Sequence, residues 1–227
     1  MNPVIEAALI SFAGGVVPAL VWFFFWRTED EEQPEPPSLL ALTFIAGMLA
    51  VPIALFVEKM LYPYFSGLKL VVVWAATEEI LKWGVYYFTN ADNSEIDEPL
   101  DPAIYLVTAA LGFAAIENAY FLHRGLADYS VSENIVNQAM RFVGSSPLHV
   151  FASASIGIML GLAFYHGPIL RFFYVAIGLC TAVSLHALFN YLIIDGTKVN
   201  MLEVYGFMWT IGVVILLLFE KLKHLKT

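Results

Sequence analysis

Basic residues are scarce in this chain. Eleven lysines and arginines stand against 20 aspartates and glutamates, and only 14% of the 227 residues are charged at all. With a formal charge of −9, and half of its acid in two short stretches, the chain does not suit nucleic acid or anionic lipid headgroups. Cysteine occurs once, as Cys180 inside an apolar run, which excludes an internal disulfide. Strictly alternating polar–apolar runs are missing, which argues against a membrane β-barrel. No internal repeat is evident. The first residues lack the basic start and small-residue cleavage site of a signal peptide, so residues 3–26 read as a retained helix.

What the chain has in excess is apolar sequence. It is 59% hydrophobic with a mean hydropathy of +0.73, where soluble domains run at about 45–50% apolar. Continuous apolar runs of spanning length occur near residues 3–26, 39–57, 70–88, 103–122, 147–165, 170–194 and 201–219. The expected fold is all-α, a polytopic membrane helix bundle of about seven transmembrane helices. It forms one integral-membrane domain over residues 1–227 with a core at about 70–195. Two acidic loops, 27–38 and 90–102, interrupt it, and the first reads as mobile. Ser38 and Asp101 are the expected helix caps, with Pro102 in the first turn after Asp101. Residues 132–142 read as a short amphipathic helix. Small residues at Ala110, Gly112, Ala114 and Ala115, and again at Ser153, Gly157 and Gly161, predict close helix neighbours. The positive-inside count ties. Arg27, Arg171, Lys221, Lys223 and Lys226 fall on one side, and Lys59, Lys69, Arg124, Arg141 and Lys198 on the other. The tail cluster tips the C-terminus towards the cytoplasm.

The third run contains Trp74-Ala-Ala-Thr-Glu78-Glu79-Ile-Leu-Lys82-Trp83. Each ionised residue at the centre of a membrane helix costs roughly 2.5–3.5 kcal/mol. On a helix Lys82 lies four residues after Glu78 and three after Glu79, so both carboxylates can reach the ammonium. One is expected to pair with it and the other to stay free for a proton, a water or a metal. The plainer reading is an ion-pair cluster that only fixes helix packing. Trp74 and Lys82 share a helix face with Glu78, which favours Glu78 as the chemically active one.

Other polar groups lie at similar depth: Glu117 and Asn118 in the fourth run, His149 in the fifth, His186 and Asn190 in the sixth. Singly, each reads as a hydrogen-bonded clamp between helices. Together they read as one shared polar cavity, which is cheaper than four separate defects. Such a cavity offers acid–base hydrolysis by carboxylate and imidazole, with Asn190 donating to an oxyanion. It also offers a divalent metal, most readily zinc, on Glu117, His149 and His186, leaving Glu78 or Glu79 as the base. Three carboxylates against one lysine favour an added cation or protons.

The ordered set Glu78-Glu79-x-x-Lys82, Phe113-x-x-x-Glu117-Asn118, His149 and His186-x-x-x-Asn190 resembles the motifs of PrsW-type intramembrane proteases. These are related to the CAAX prenyl-protease and bacteriocin-processing membrane proteases. Glu117 stands where the CAAX branch has histidine, and Lys82 replaces that branch's arginine one residue nearer the glutamates. The resemblance, over about 70–195, implies an intramembrane endopeptidase, glutamate- or metal-dependent. Glu78, Glu79 and Asn190 would be catalytic, Lys82 and Asn118 supporting, and Glu117, His149 and His186 the metal set. It implies a single-span membrane protein substrate such as an anti-sigma factor, within the lipid bilayer of a prokaryotic cytoplasmic membrane. The competing reading is a proton-coupled transporter or channel, against which stands the lack of repeated halves with broken helices. A non-catalytic scaffold is a third reading, against which stands the intact glutamate pair.

Overall fold

A computed structural model describes residues 2–30, 33–194 and 200–225. The described residues form helices and turns and no strand. The helices are α1 (Pro3–Arg27), α2 (Pro37–Leu61), α3 (Gly67–Thr89), α4 (Asp101–Asp128), α5 (Val131–Met140), α6 (Ser146–Leu162), α7 (Pro168–Ile194) and α8 (Met201–Lys223). Six helical stretches are long and apolar enough to cross a membrane, α5 and α6 counting as one. At 1.5 Å per residue, α3 with its 23 residues is also long enough. Its inward Glu78, Glu79 and Lys82 keep it out of a count based on apolarity. Adding it gives the expected seven.

Helices α4 and α6 form the interior, α6 buried along nearly its whole length and α4 from Asp101 to Ala115. The outer helices turn large apolar side chains outward, among them Leu9, Phe24, Leu49, Phe56, Phe172 and Leu217. In water that surface would be a liability, whereas lipid covers it without cost. Small residues set the inner spacing. A Cβ on Gly112 would collide with the backbone carbonyl of Phe44, and one on Gly47 with that of Ala109. α2 and α4 therefore cross at backbone contact, as the small-residue pattern predicted.

Several local expectations change. The cap of α2 is Pro36 without a side-chain bond, not Ser38. Asp101 is the first helical residue, after Leu100 as cap. Its Oδ2 accepts from the amides of Asp97 and Glu98, 2.8 Å each, so it ties down the preceding loop rather than its own helix. The first acidic loop is not a loose tether where it is described. Asp30 and Glu35 are buried. The Glu35 amide donates to Asp30, the Tyr105 hydroxyl donates to Glu35, and Lys223 reaches Glu29 at 2.9 Å. Glu31 and Glu32, like Lys198 and Lys226 of the charge count, lie outside the described residues.

The amphipathic helix is present as α5, with a capping box in which Ser130 and Glu133 satisfy each other's backbone amides. Between α5 and α6 the chain winds as a π-helical turn, Arg141–Ser145. Such a turn leaves carbonyls without their usual partners. Trp22 of α1 donates to the carbonyl of Phe142 (3.0 Å) and Trp209 of α8 to that of Val143 (3.1 Å). The turn is thus pinned from both sides and aims Arg141 inward.

Candidate active site

The inward face of α3 carries Glu78, Glu79 and Lys82, all buried. Glu79 is the fully partnered carboxylate. Its Oε1 accepts from Lys82 Nζ at 2.5 Å and from His186 Nδ1 at 2.7 Å, and its Oε2 from Ser153 Oγ at 3.0 Å. The pairing with Lys82 predicted from spacing therefore falls mainly to Glu79. Glu78 Oε2 lies 3.9 Å from Nζ and, though buried, has no hydrogen-bond partner.

Two tautomers follow from these contacts. A carboxylate only accepts, so His186 carries its proton on Nδ1 and keeps a lone pair on Nε2. An ammonium only donates, so His149 Nδ1, 2.9 Å from Lys82 Nζ, is an acceptor. The proton of His149 is then on Nε2, which donates to Glu117 Oε2 at 3.0 Å. Each histidine is thus held by a glutamate through one nitrogen and presents the other nitrogen's lone pair to the same place. Glu78 Oε2 lies 3.8 Å from His149 Nδ1 and 3.8 Å from His186 Nε2. The two rings stand at 90° with centroids 5.0 Å apart.

Among the described residues, one group has the spacing of a metal site: Glu78, His149 and His186, with ligand atoms within 4.8 Å of one another. This differs from the sequence-based set in one member, since Glu78 stands where Glu117 was expected. Glu117 Oε2 is engaged instead by Arg141 at 2.5 Å and by His149. The donor set fits a divalent cation. Three acceptors converge, one of them a buried oxygen without a donor, and each imidazole has a carboxylate behind it, as metal-bound histidines usually do. Lys82 Nζ, however, already occupies the His149 lone pair.

The remaining expected residues are close by. Asn118 Oδ1 accepts from Arg141 Nε at 2.6 Å, and its Nδ2 donates to Ser146 Oγ at 2.9 Å. It holds the arginine that holds Glu117. Asn190 lies one turn beyond His186 and lines a cavity of about 650 Å³ that Glu78, Glu117, His149 and His186 also line. The walls are largely apolar and aromatic, with Val51, Leu55, Trp74, Phe113, Phe121 and Phe189. The Trp74 indole N–H is a second buried group without a partner, one turn before Glu78.

Sequence reading missed Arg141, Ser153 and Glu58. Arg141 was counted as a loop cation, and Ser153 as a packing residue. Glu58 falls just past the end of the apolar run 39–57, but α2 continues to Leu61 and Glu58 lines the cavity. The three-residue motif spacings carry no signal for any of them.

The pattern of a family described as PrsW family intramembrane metalloprotease matches residues 35–219. Among similar curated proteins is the Protease PrsW of Geobacillus kaustophilus (strain HTA426), 30% identical over 66% of this chain and 65% of that protein's length. The Protease PrsW of Bacillus subtilis (strain 168) is 22% identical over 90% of this chain and 92% of its own. That of Clostridioides difficile (strain 630) is 28% identical over 80% and 78%. No solved structure matches the chain.

Proposed function

The chain belongs to the PrsW family of intramembrane metalloproteases, a multi-pass endopeptidase of the bacterial cell membrane, and we propose that its reaction centre is the convergence of Glu78, His149 and His186. The observation that carries this is the buried, unpartnered Glu78 Oε2 facing two imidazole lone pairs at 3.8 Å. A structural ion-pair cluster satisfies its own members, as Glu79 is satisfied. Glu78 Oε2 faces two nitrogens that also accept, and only one of them, His149 Nδ1, has a donor in Lys82, so the oxygen needs a guest, either a water or a cation.

In this reading the attacking water sits at Glu78, which takes its proton where no metal is bound and helps to hold the metal where one is. Glu79 fixes the His186 tautomer and is itself neutralised by Lys82. Glu117, steadied by Arg141 and Asn118, does the same for His149. Asn190 is the donor we assign to the carbonyl oxygen of the scissile bond, where negative charge develops. The metal is zinc in this proposal, held by Glu78, His149 and His186, and when bound it would supply Lewis acidity and a more acidic water. The substrate is a single-span membrane protein whose segment enters the apolar-walled cavity, an anti-sigma factor being the case the motif resemblance implies.

The Lys82 contact to His149 favours a second reading, in which the ammonium takes the cation's place and Glu78 acts without a metal. Elemental analysis of active, purified protein separates the two. About one zinc per chain, lost with activity on chelation and absent from His149→Ala and His186→Ala, supports the metal reading. Active protein without stoichiometric transition metal leaves the glutamate reading. Under either, Glu78→Gln lowers turnover of a single-span substrate by about 10²–10⁴-fold, the span of general acid–base contributions. Wild-type turnover by Glu78→Gln removes the cluster as the reaction centre.

A further inference from the structure

Glu58 is a carboxylate inside a membrane-spanning helix, partly buried and facing the cavity. Among the described residues it makes no hydrogen bond and no ion pair, unlike the other glutamates around it. It shares the cavity wall with two other carboxylates, Glu78 and Glu117. The cations within range are committed elsewhere. Lys82 is held by Glu79 and His149, and Arg141 by Glu117 and Asn118. The cavity wall therefore carries Glu58, Glu78 and Glu117 against Arg141 alone. With Glu117 paired to that arginine and Glu78 turned to the two histidines, Glu58 is the surplus negative charge. It is not in the group with metal-ligand spacing.

A carboxylate desolvated in this way is costly unless something supplies a counter-charge. The cavity around it is largely apolar and aromatic, with amide side chains such as Asn134, Asn137 and Gln138 on one part of its wall, and apolar walls suit a membrane segment. Membrane segments commonly carry lysine or arginine beside their apolar core, with stems long enough to reach a buried carboxylate. We propose that Glu58 is a specificity-determining residue that pairs with a lysine or arginine of the substrate segment close to the scissile bond. This rests on the reading of the Glu78 cluster as the reaction centre. Selection follows from the difference between partners, since a neutral side chain leaves the half-buried Glu58 unpaired and an acidic one adds repulsion.

The test uses matched transmembrane peptides bearing Lys, Gln or Glu at each position flanking the cleavage point in turn. They are reconstituted with the full-length wild type, Glu58→Gln and Glu58→Lys. At the reading position the wild type should favour Lys over Gln by at least about tenfold in kcat/KM, the scale of one charge-assisted hydrogen bond. In Glu58→Gln that ratio should fall to near one, and Glu58→Lys should favour the Glu peptide. An unchanged Lys-to-Gln ratio in Glu58→Gln overturns the inference. So does an equal loss on all three peptides, which would make Glu58 a proton carrier or a structural group. Binding of fluorescent Lys and Gln peptides to Glu78→Gln, with and without Glu58→Gln, provides a readout independent of turnover. If the wild type cuts nothing, the protease assignment of the cluster fails. The Glu58 inference then stands or falls on whether the Lys preference in binding disappears with Glu58→Gln.

Discussion

Replacing Lys82 with methionine keeps most of the side-chain volume and removes the charge. Lys82 is fully buried, with Nζ 2.5 Å from Glu79 Oε1, 2.9 Å from His149 Nδ1 and 4.8 Å from the centre of the Phe113 ring. Its loss leaves Glu79 as a buried carboxylate without a cation, and breaking a buried pair from one side costs about 3–5 kcal/mol. Two donors remain on Glu79, Ser153 Oγ and His186 Nδ1, so the lower end applies. At about 2–4 °C per kcal/mol for a chain of this size, about 3 kcal/mol lowers Tm by about 6–12 °C. The assay is thermal unfolding of the purified protein in one detergent. A double-mutant cycle with Glu79→Gln makes it specific, because neutralising Glu79 removes the uncompensated charge and should recover at least about half of the loss. If Lys82→Met melts with the wild type, Lys82 does not neutralise Glu79. If the added Glu79→Gln lowers Tm further instead of raising it, the cost lies in packing, and the charge argument is wrong.

Glu117→Gln should reduce proteolysis by about 10–100-fold, the usual penalty for losing the carboxylate behind a site histidine; full activity would mean that Glu117 does not orient His149. Gly112→Val should abolish folded protein on a size-exclusion column, since the added carbons meet the Phe44 carbonyl; a normal yield and Tm would refute backbone contact between α2 and α4. Burial raises Asp30 to about 6 and Glu35 to about 7, so the folded chain binds protons that the unfolded chain has released. Their stabilisation is present below the ordinary carboxylate range and is lost as pH rises through about 6 to 7. Wild-type Tm should therefore drop between about pH 5 and about pH 8, and Asp30→Asn with Glu35→Gln should flatten that drop. An equal pH dependence in the variant would place its origin elsewhere.

The sequence by itself determined the helices and the identity of most site residues. Run length and composition are local properties, so the spans at 3–26, 70–88, 103–122 and 170–194 correspond to α1, α3, α4 and α7 within a few residues at most ends. Ionisable residues at membrane depth are costly enough that Glu78, Glu79, Lys82, Glu117, His149 and His186 stood out without any structure. What only the tertiary structure decided was who partners whom. Spacing allowed both carboxylates to reach Lys82, and packing gave Glu79 the short contact, with Ser153 and His186 completing its shell. Spacing offered Glu117 as a third metal ligand, but Arg141, arriving from the π-helical turn, engages it and Glu78 takes the place beside the histidines. Glu58 is drawn into the cavity because α2 runs a turn further than its apolar run. These outcomes depend on the rotation of each helix about its axis and on backbone crossings such as Gly112 on Phe44. Neighbouring carboxylates on a helix point about 100° apart, so a small change in rotation exchanges the paired one for the free one. That rotation is set by partners dozens of residues away in the chain, and no local spacing records it.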